Sequence, residues 1–303
     1  MPELPDVYVY VRSLEERIIG ERLEKLQVIS PFVLRTYDPP IASLEGRAVR
    51  SIHRIGKQIV WGFDDDLFLV IHLMIAGRLR WKRAGTKAPR KGGLASFDFG
   101  DGTIVFTEAS SRKRASLHVV KGRESLDDFD RGGLEILDAD LGAFRTALFR
   151  ENRTLKRALT DPRIFSGVGN AYSDEILHAA KLSPLKRTQQ LDDEESERLY
   201  HATTNTLRTW IDRLDAEVGK KFPDKVTAFR PEMAVHGRYK EPCPVCESPV
   251  QRIRYAENEC NYCATCQTEG RLLADRSLSR LLKGDWPKTL EELDEMRGGA
   301  SSS

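Results

Sequence analysis

Two CxxC pairs near the C-terminal end, Cys243-Pro-Val-Cys246 and Cys263-Ala-Thr-Cys266, constrain this chain more than any other feature. The 16 residues between them are enough for a β-hairpin, and paired thiolates at that spacing match two knuckles around a tetrahedral Zn²⁺. A fifth cysteine, Cys260, offers a competing CxxC with Cys263. The later pair is preferred, because Glu259-Cys260-Asn261-Tyr262 then finishes a strand before the knuckle and leaves Cys260 outside the ligand set. Four thiolates leave no open position, so the metal holds a fold and does no chemistry. One structural zinc is therefore expected, in a reducing compartment, since an odd number of cysteines gathered in one segment suits a metal better than disulfides.

At 303 residues the chain passes the size at which one core stops growing, so more than one domain is expected. The opening residues carry no basic region followed by a long apolar run. No segment approaches the roughly 20 apolar residues of a membrane span. The expectation is a cytoplasmic protein without a membrane partner. A net charge of +2 says little about partners, but its distribution says more. Seven basic residues and no acid lie between Arg78 and Lys91, and five more between Arg112 and Arg123, whereas acids gather in LDDEESE and LEELDE. Segregation of this kind fits either a phosphate backbone or two solvated loops.

Near residue 135 the hydrophobic period changes. The first part has an opening helix with Val7, Val11, Leu14 and Ile18 on one face. Short β-branched and aromatic runs follow (RAVRSIHRI, KQIVWGF, DLFLVIHL, GRLRW, LASFDF, TIVFT, SLHVV), separated by turn residues such as DDD and GDG. This spacing predicts an antiparallel sandwich or barrel. From Leu141 the period is helical, and Leu199, Ala202, Thr206, Trp210 and Leu214 trace one face of a long helix beginning after Asp192 and Asp193. NRTLKRALTDPRIFSG predicts a short basic helix stopped ahead of Pro162. GVGNAYSDEIL predicts a glycine-rich turn into a helix with Asn170 as its cap, a start whose amides can bind phosphate. The terminal MPELPDV is either a stiff terminus or, once the methionine is removed, a secondary amine at Pro2 beside the carboxyl of Glu3.

Taken in order, PELPDV, Gly56-Lys57 before a strand, HLMIAGRL, TLKRALTD…GVGNAYSDEIL and VHGRYKEPCPVC…CATCQ resemble the Fpg/Nei DNA glycosylases over roughly residues 2 to 267. The resemblance implies an α+β multidomain chain. Residues 1–134 would be a catalytic antiparallel β-sandwich with a terminal helix, and 135–222 a helix-two-turn-helix DNA-binding domain. Residues 223–270 would be a β-hairpin zinc finger with its lead-in, and 271–303 a helical extension with a disordered tail. The implied activity is that of a bifunctional glycosylase and abasic-site lyase of base-excision repair. It would remove damaged, oxidised bases through a Pro2 Schiff base and act as a monomer on double- or single-stranded damaged DNA.

In that scheme Pro2 is the nucleophile, Glu3 the general acid/base, and Lys57 the group assisting β-elimination at the lesion-flanking phosphate. An α-amine titrates near ~8 and lysine near ~10.4, so the terminus offers far more free amine at neutral pH. Lys156 and Asn170 match the family's phosphate-binding residues. Several positions depart from the pattern. Ile75 stands where a methionine wedge is usual, and Asp6 where a glutamate is usual. EASSRKRAS replaces a loop carrying arginine and phenylalanine, leaving Arg112, Lys113 or Arg114 to replace the arginine and no aromatic to replace the phenylalanine. Asn258 stands where an arginine at the finger tip contacts phosphate and serves δ-elimination. These departures keep a second reading open, a zinc-containing DNA-binding protein with weak catalysis on the same fold, and a third, a zinc-stabilised RNA-binding protein.

Overall fold

The computed structural model describes residues 1–110, 114–223, 226, 229–255, 258–273 and 287–299. Its contacts divide the chain into two units, one of residues 1–133 with 208–228 and the other of 134–207 with 229–303.

In the first unit, α1 (Leu4–Ile18) buries Val7, Tyr10, Leu14 and Ile18. This is the three-to-four spacing that puts apolar side chains on one helix face. Val11, expected on that face, is half-buried at its edge. Eight strands follow: β1 (Lys25–Val28), β2 (Val49–Ile55), β3 (Gln58–Phe63), β4 (Leu67–His72), β5 (Gly77–Lys82), β6 (Gly93–Asp98), β7 (Thr103–Glu108) and β8 (Ser116–Lys121). They form two antiparallel four-stranded sheets, in the orders β1-β6-β7-β5 and β2-β3-β4-β8. Ile59, Trp61, Leu69 and Ile71 from one sheet share a core with Leu79, Phe97, Ile104 and Phe106 from the other. The Trp61 and Phe97 rings meet edge to face at 5.2 Å. The architecture is the expected sandwich. Gly56 and Lys57 make the tight β2–β3 turn, where Gly56 takes a φ of 60° that a side chain would strain.

The second unit is helical and ends in a hairpin. It contains α2 (Leu141–Phe149), α3 (Leu155–Thr160), α4 (Asn170–Ala179) and the start of α5 (Asp193–Val218), then β9 (Gln251–Tyr255) paired with β10 (Asn258–Tyr262), α6 (Ala264–Thr268) and α7 (Leu290–Gly299). As expected, α3 stops ahead of Pro162. Asp192 precedes α5 and accepts the Glu195 N–H at 2.7 Å, while the Glu195 carboxylate accepts the Asp192 N–H at 3.2 Å, a reciprocal cap. The buried face of α5 runs through Leu199, Thr203, Leu207, Trp210 and Leu214, so Ala202 and Thr206 sit at its margin rather than at its centre. Beyond the hairpin, Leu272 and Leu273 pack with Ile253 and Tyr262, and Leu290 and Leu293 of α7 lie against the same cluster. Backbone bonds fasten the return: the Leu272 N–H reaches the Lys288 carbonyl at 2.8 Å, and the Leu273 N–H reaches the Tyr262 hydroxyl at 2.8 Å. Part of the segment expected to hold further helix, residues 274–286, lies outside the described residues.

Candidate active site and zinc centre

Pro2 and Glu3 are buried at the head of α1 although the chain ends one residue earlier. The Glu3 N–H donates to Asp6 Oδ2 at 3.0 Å, and the Glu3 carboxylate caps the Asp6 N–H in return. The shorter acid at position 6 thus closes a capping box that fixes the acid at position 3. With Met1 in place, its α-amine is held below its ordinary value, chiefly by burial. The charges acting on it are, in order, Glu3 (raising), Arg78 (lowering), Asp6 (raising) and Lys57 (lowering). The predicted acid and lysine thus both act on the charge of that amine. His72, at the end of β4, pairs with Gln58 across the sheet beside Lys57. Burial first, then Lys57 and His118, push its imidazole down to about 4, so it is neutral at physiological pH.

Between β4 and β5 the chain makes a turn at Met74, Ile75 and Ala76, with Met74 at a φ of 50°. It is closed by a bond from the Gly77 N–H to the Leu73 carbonyl at 2.8 Å. A Cβ at Gly77 would lie 2.3 Å from that carbonyl oxygen, so the turn requires glycine. Ile75 projects at its tip, 57% exposed, which is the presentation a wedge needs. Arg78 Nη1 donates back to the Ile75 carbonyl at 3.2 Å and the Gly77 carbonyl at 2.6 Å. In the divergent loop, buried Glu108 accepts the Arg114 N–H at 3.0 Å, leaving the Arg114 side chain exposed. Arg112 and Lys113 lie outside the described residues.

The second unit places Lys156 and Asn170 together, but differently from expectation. Gly169 is the N-terminal cap of α4, and Asn170 is its first helical residue with no capping bond. Its side-chain amide donates instead to the Glu259 carbonyl at 2.7 Å, tying α4 to β10. Glycine reaches the extended cap conformation freely, which releases the asparagine for this longer contact. Lys156 Nζ donates to the Asn170 carbonyl at 2.7 Å, Ser173 Oγ at 2.8 Å and Asp174 Oδ1 at 2.5 Å. An ammonium has three protons, and all three are directed inward. Asp174 is fully buried and also accepts from His236 Nδ1 at 2.7 Å and the Asn261 N–H at 3.1 Å. Next to it, Glu175 accepts three successive backbone N–H groups, from Ala234, Val235 and His236. This carboxylate pair was not singled out from the sequence. The signal was two adjacent acids on the apolar face of a predicted helix. Asn258 opens β10, paired with Tyr255 at the hairpin turn.

Sγ atoms of Cys243, Cys246, Cys263 and Cys266 all lie within 4.8 Å of one another, and Cys260 is outside the group, buried in β10. The distances of 3.9 Å for Cys243–Cys266 and 3.4 Å for Cys246–Cys263 bracket the ~3.8 Å that four Zn–S bonds of ~2.3 Å impose on a tetrahedron. The donor set fits one structural zinc. Cys263 also caps α6, and His178 of α4 places Nε2 3.3 Å from Cys243 Sγ, where an N–H orients the thiolate. Among the described residues no helix is long and apolar enough to cross a membrane.

A sandwich with a buried terminal amine, a helix-two-turn-helix and a four-cysteine finger together define a class, the zinc-bearing DNA glycosylase architecture. Residues 1–115 match the formamidopyrimidine-DNA glycosylase N-terminal domain, and residues 134–220 the H2TH domain of the same enzymes. A formamidopyrimidine-DNA glycosylase of Heliobacterium modesticaldum is 32% identical over 282 residues, covering 88% of this chain and 100% of that protein. One from Desulfitobacterium hafniense is 30% identical over 279 residues, with 88% and 100% covered. Among solved structures, Lactococcus lactis Fpg with abasic-site DNA has a TM-score of 0.77 at 26% identity, covering 88% of this chain and 99% of that one. MutM with DNA containing carbocyclic 8-oxo-G has a TM-score of 0.78 at 26% identity, covering 88% and 100%. The chain belongs to the formamidopyrimidine-DNA glycosylase family.

Proposed function

We propose that this chain is a DNA glycosylase with abasic-site lyase activity that removes damaged bases through the secondary amine of Pro2. The observation carrying the reading is the head of α1, where Pro2 and Glu3 are buried and a reciprocal cap with Asp6 fixes Glu3 beside the Pro2 nitrogen. With Met1 removed, the Pro2 nitrogen lone pair attacks C1′ and the glycosidic bond breaks with its electron pair leaving on the base; the Pro2 nitrogen then loses its proton and its lone pair opens the C1′–O4′ bond, O4′ taking a proton, to leave the iminium. Glu3 moves the accompanying proton. The resulting iminium acidifies C2′; loss of that proton expels the 3′ phosphate, a step Lys57 assists at the flanking phosphate. Ile75 enters the duplex as an apolar wedge, and Arg114 and Asn258 contact DNA from their loops. Lys156 serves phosphate binding through Asn170, whose turn it holds. The protein acts as a cytoplasmic monomer on damaged DNA.

Relatives bind abasic-site and 8-oxo-G DNA. In this chain the divergent loop offers no aromatic to replace a displaced base, and eversion of a paired base costs a few kcal/mol. Abasic and single-stranded substrates should therefore outrun paired 8-oxoguanine in single-turnover assays. Borohydride trapping on abasic DNA tests the reading directly. A covalent adduct that disappears in Pro2→Gly supports it, and absence of any adduct would leave a DNA-binding protein without amine chemistry.

A further inference from the structure

We propose that Arg252 and Arg254 form a cradle for a DNA backbone phosphate on the finger hairpin, and that the Glu259 carboxylate fills it as a resident counterion until DNA displaces it. The inference rests on the DNA-binding part of the reading above and uses none of the amine chemistry. In the β9–β10 register Arg254 stands opposite Glu259, and Arg252 opposite Asn261. Alternation along the strands therefore puts these four side chains on one face of the hairpin. The other face is closed, since Ile253 and Tyr262 pack with Leu272 and Leu273.

The carboxylate is held from two sides. Glu259 Oε1 accepts the Asn261 side-chain amide at 3.0 Å, while Oε2 lies 3.3 Å from Arg252 Nη1 and 3.9 Å from Arg254 Nε. Asn261 is itself buried and fixed, its N–H donating to Asp174 and its Oδ1 accepting the Gly237 N–H. The Arg252 guanidinium lies over the Tyr239 ring at 4.0 Å, a cation–π contact that does not depend on Glu259. Arg254 is 61% exposed. Two guanidiniums converging on one oxygen at the surface are the donors a phosphate oxygen needs, and a carboxylate oxygen is its nearest side-chain counterpart. The place fits as well. The backbone carbonyl of the same Glu259 accepts the Asn170 amide, so the cradle adjoins the start of α4, where Lys156 is also gathered. Ion pairs this exposed add little to stability, so the carboxylate opposes DNA binding more than it braces the hairpin.

The test is equilibrium binding of the full zinc-loaded chain to an undamaged duplex, and to the same duplex carrying a tetrahydrofuran abasic analogue, between about 50 and 200 mM salt. Glu259→Gln removes the charge and keeps an oxygen for Asn261. It should bind both duplexes roughly tenfold tighter at the lower salt, and steepen the slope of log K against log salt by about 0.9 for each phosphate gained. The gain should be equal on the two duplexes, because phosphate contacts carry no sequence information. It should disappear when Arg252→Gln and Arg254→Gln are also present. Arg254→Gln alone, at an exposed position, should weaken binding and flatten the slope. Tm and zinc content, measured on each variant, separate these effects from misfolding. Unchanged or weaker binding by a folded Glu259→Gln protein would make the carboxylate a cross-strand brace and overturn the proposal. A gain that survives loss of both arginines would reflect general charge removal and overturn it too, as would an unchanged slope in Arg254→Gln. Failure of every variant to trap on abasic DNA would sink the amine chemistry alone, since the cradle is read by binding.

Discussion

Replacing Lys156 with methionine separates an inward role for this residue from direct contact with DNA. The side chain is only 12% exposed, and its partner Asp174 is fully buried. Methionine keeps the stem and removes the charge, while Asp174 keeps its contacts with His236, the Asn261 N–H and the Cys260 thiol. Orphaning one member of a buried pair costs about 3–5 kcal/mol, and the surviving His236 contact points to the lower end. For a unit of this size that is a fall in Tm on the order of 10 °C. Each phosphate neutralised by a protein cation contributes about 0.9 to the slope of log K against log salt. An inward lysine predicts a marked loss of thermal stability with an unchanged slope. Melting curves and DNA titrations between low and moderate salt supply both numbers, and Lys156→Arg tests whether charge alone rescues. Unaltered stability with a slope reduced by about 0.9 would refute the argument and return Lys156 to the phosphate backbone.

Cys243→Ser should lose zinc and DNA affinity together, since metal binding of this kind supplies on the order of 10 kcal/mol to folding, while Cys260→Ser should keep its zinc; metal analysis of the two proteins decides. Asn258→Arg should move strand cleavage from β-elimination towards β,δ-elimination by supplying a guanidinium near the flanking phosphate, read as a gain of 3′-phosphate ends on denaturing gels. A chain ending at Gly270 loses Leu272, Leu273, Leu290 and Leu293 from the hairpin cluster. At roughly 1–2 kcal/mol per partly buried leucine, it should melt several degrees lower, with abasic-site trapping preserved at low temperature. Equal melting would show that the extension adds nothing to the finger.

What could be read from the sequence follows the range of the interaction concerned. The zinc ligands were legible because four thiolates must meet at fixed spacing, and the choice of Cys263 over Cys260 followed from letting β10 run to Tyr262. Seven of the eight sandwich strands announced themselves by alternation and turn residues. β1 did not, being four residues long and half-exposed. The cap of α4 was misplaced by one residue, because glycine and asparagine both suit a cap and only the distant Glu259 carbonyl decides which one takes it. Arg78 looked like one of seven surface cations, and nothing local revealed that it turns back on the Ile75 carbonyl. Asp174 is likewise defined by partners 62 and 87 residues away, beyond any periodic signal.

Helix α4 touches the glycine turn at one end and the cysteine cluster at the other. Asn170 at its start is bonded to the finger hairpin, and His178 in its last turn reaches a zinc thiolate. In ten residues it therefore serves as a strut whose two footings fail together. An oxidant that converts Cys243 to a sulfenic acid removes the footing at His178, and Asn170 is then left without a fixed hairpin to hold. The agents that create oxidised bases also attack thiolates, so the grip on DNA is exposed to the same chemistry as the lesion. The Pro2 amine, built into the other unit, has no thiol to lose. A brief peroxide exposure should accordingly release the protein from DNA while leaving its amine competent to react with a small aldehyde.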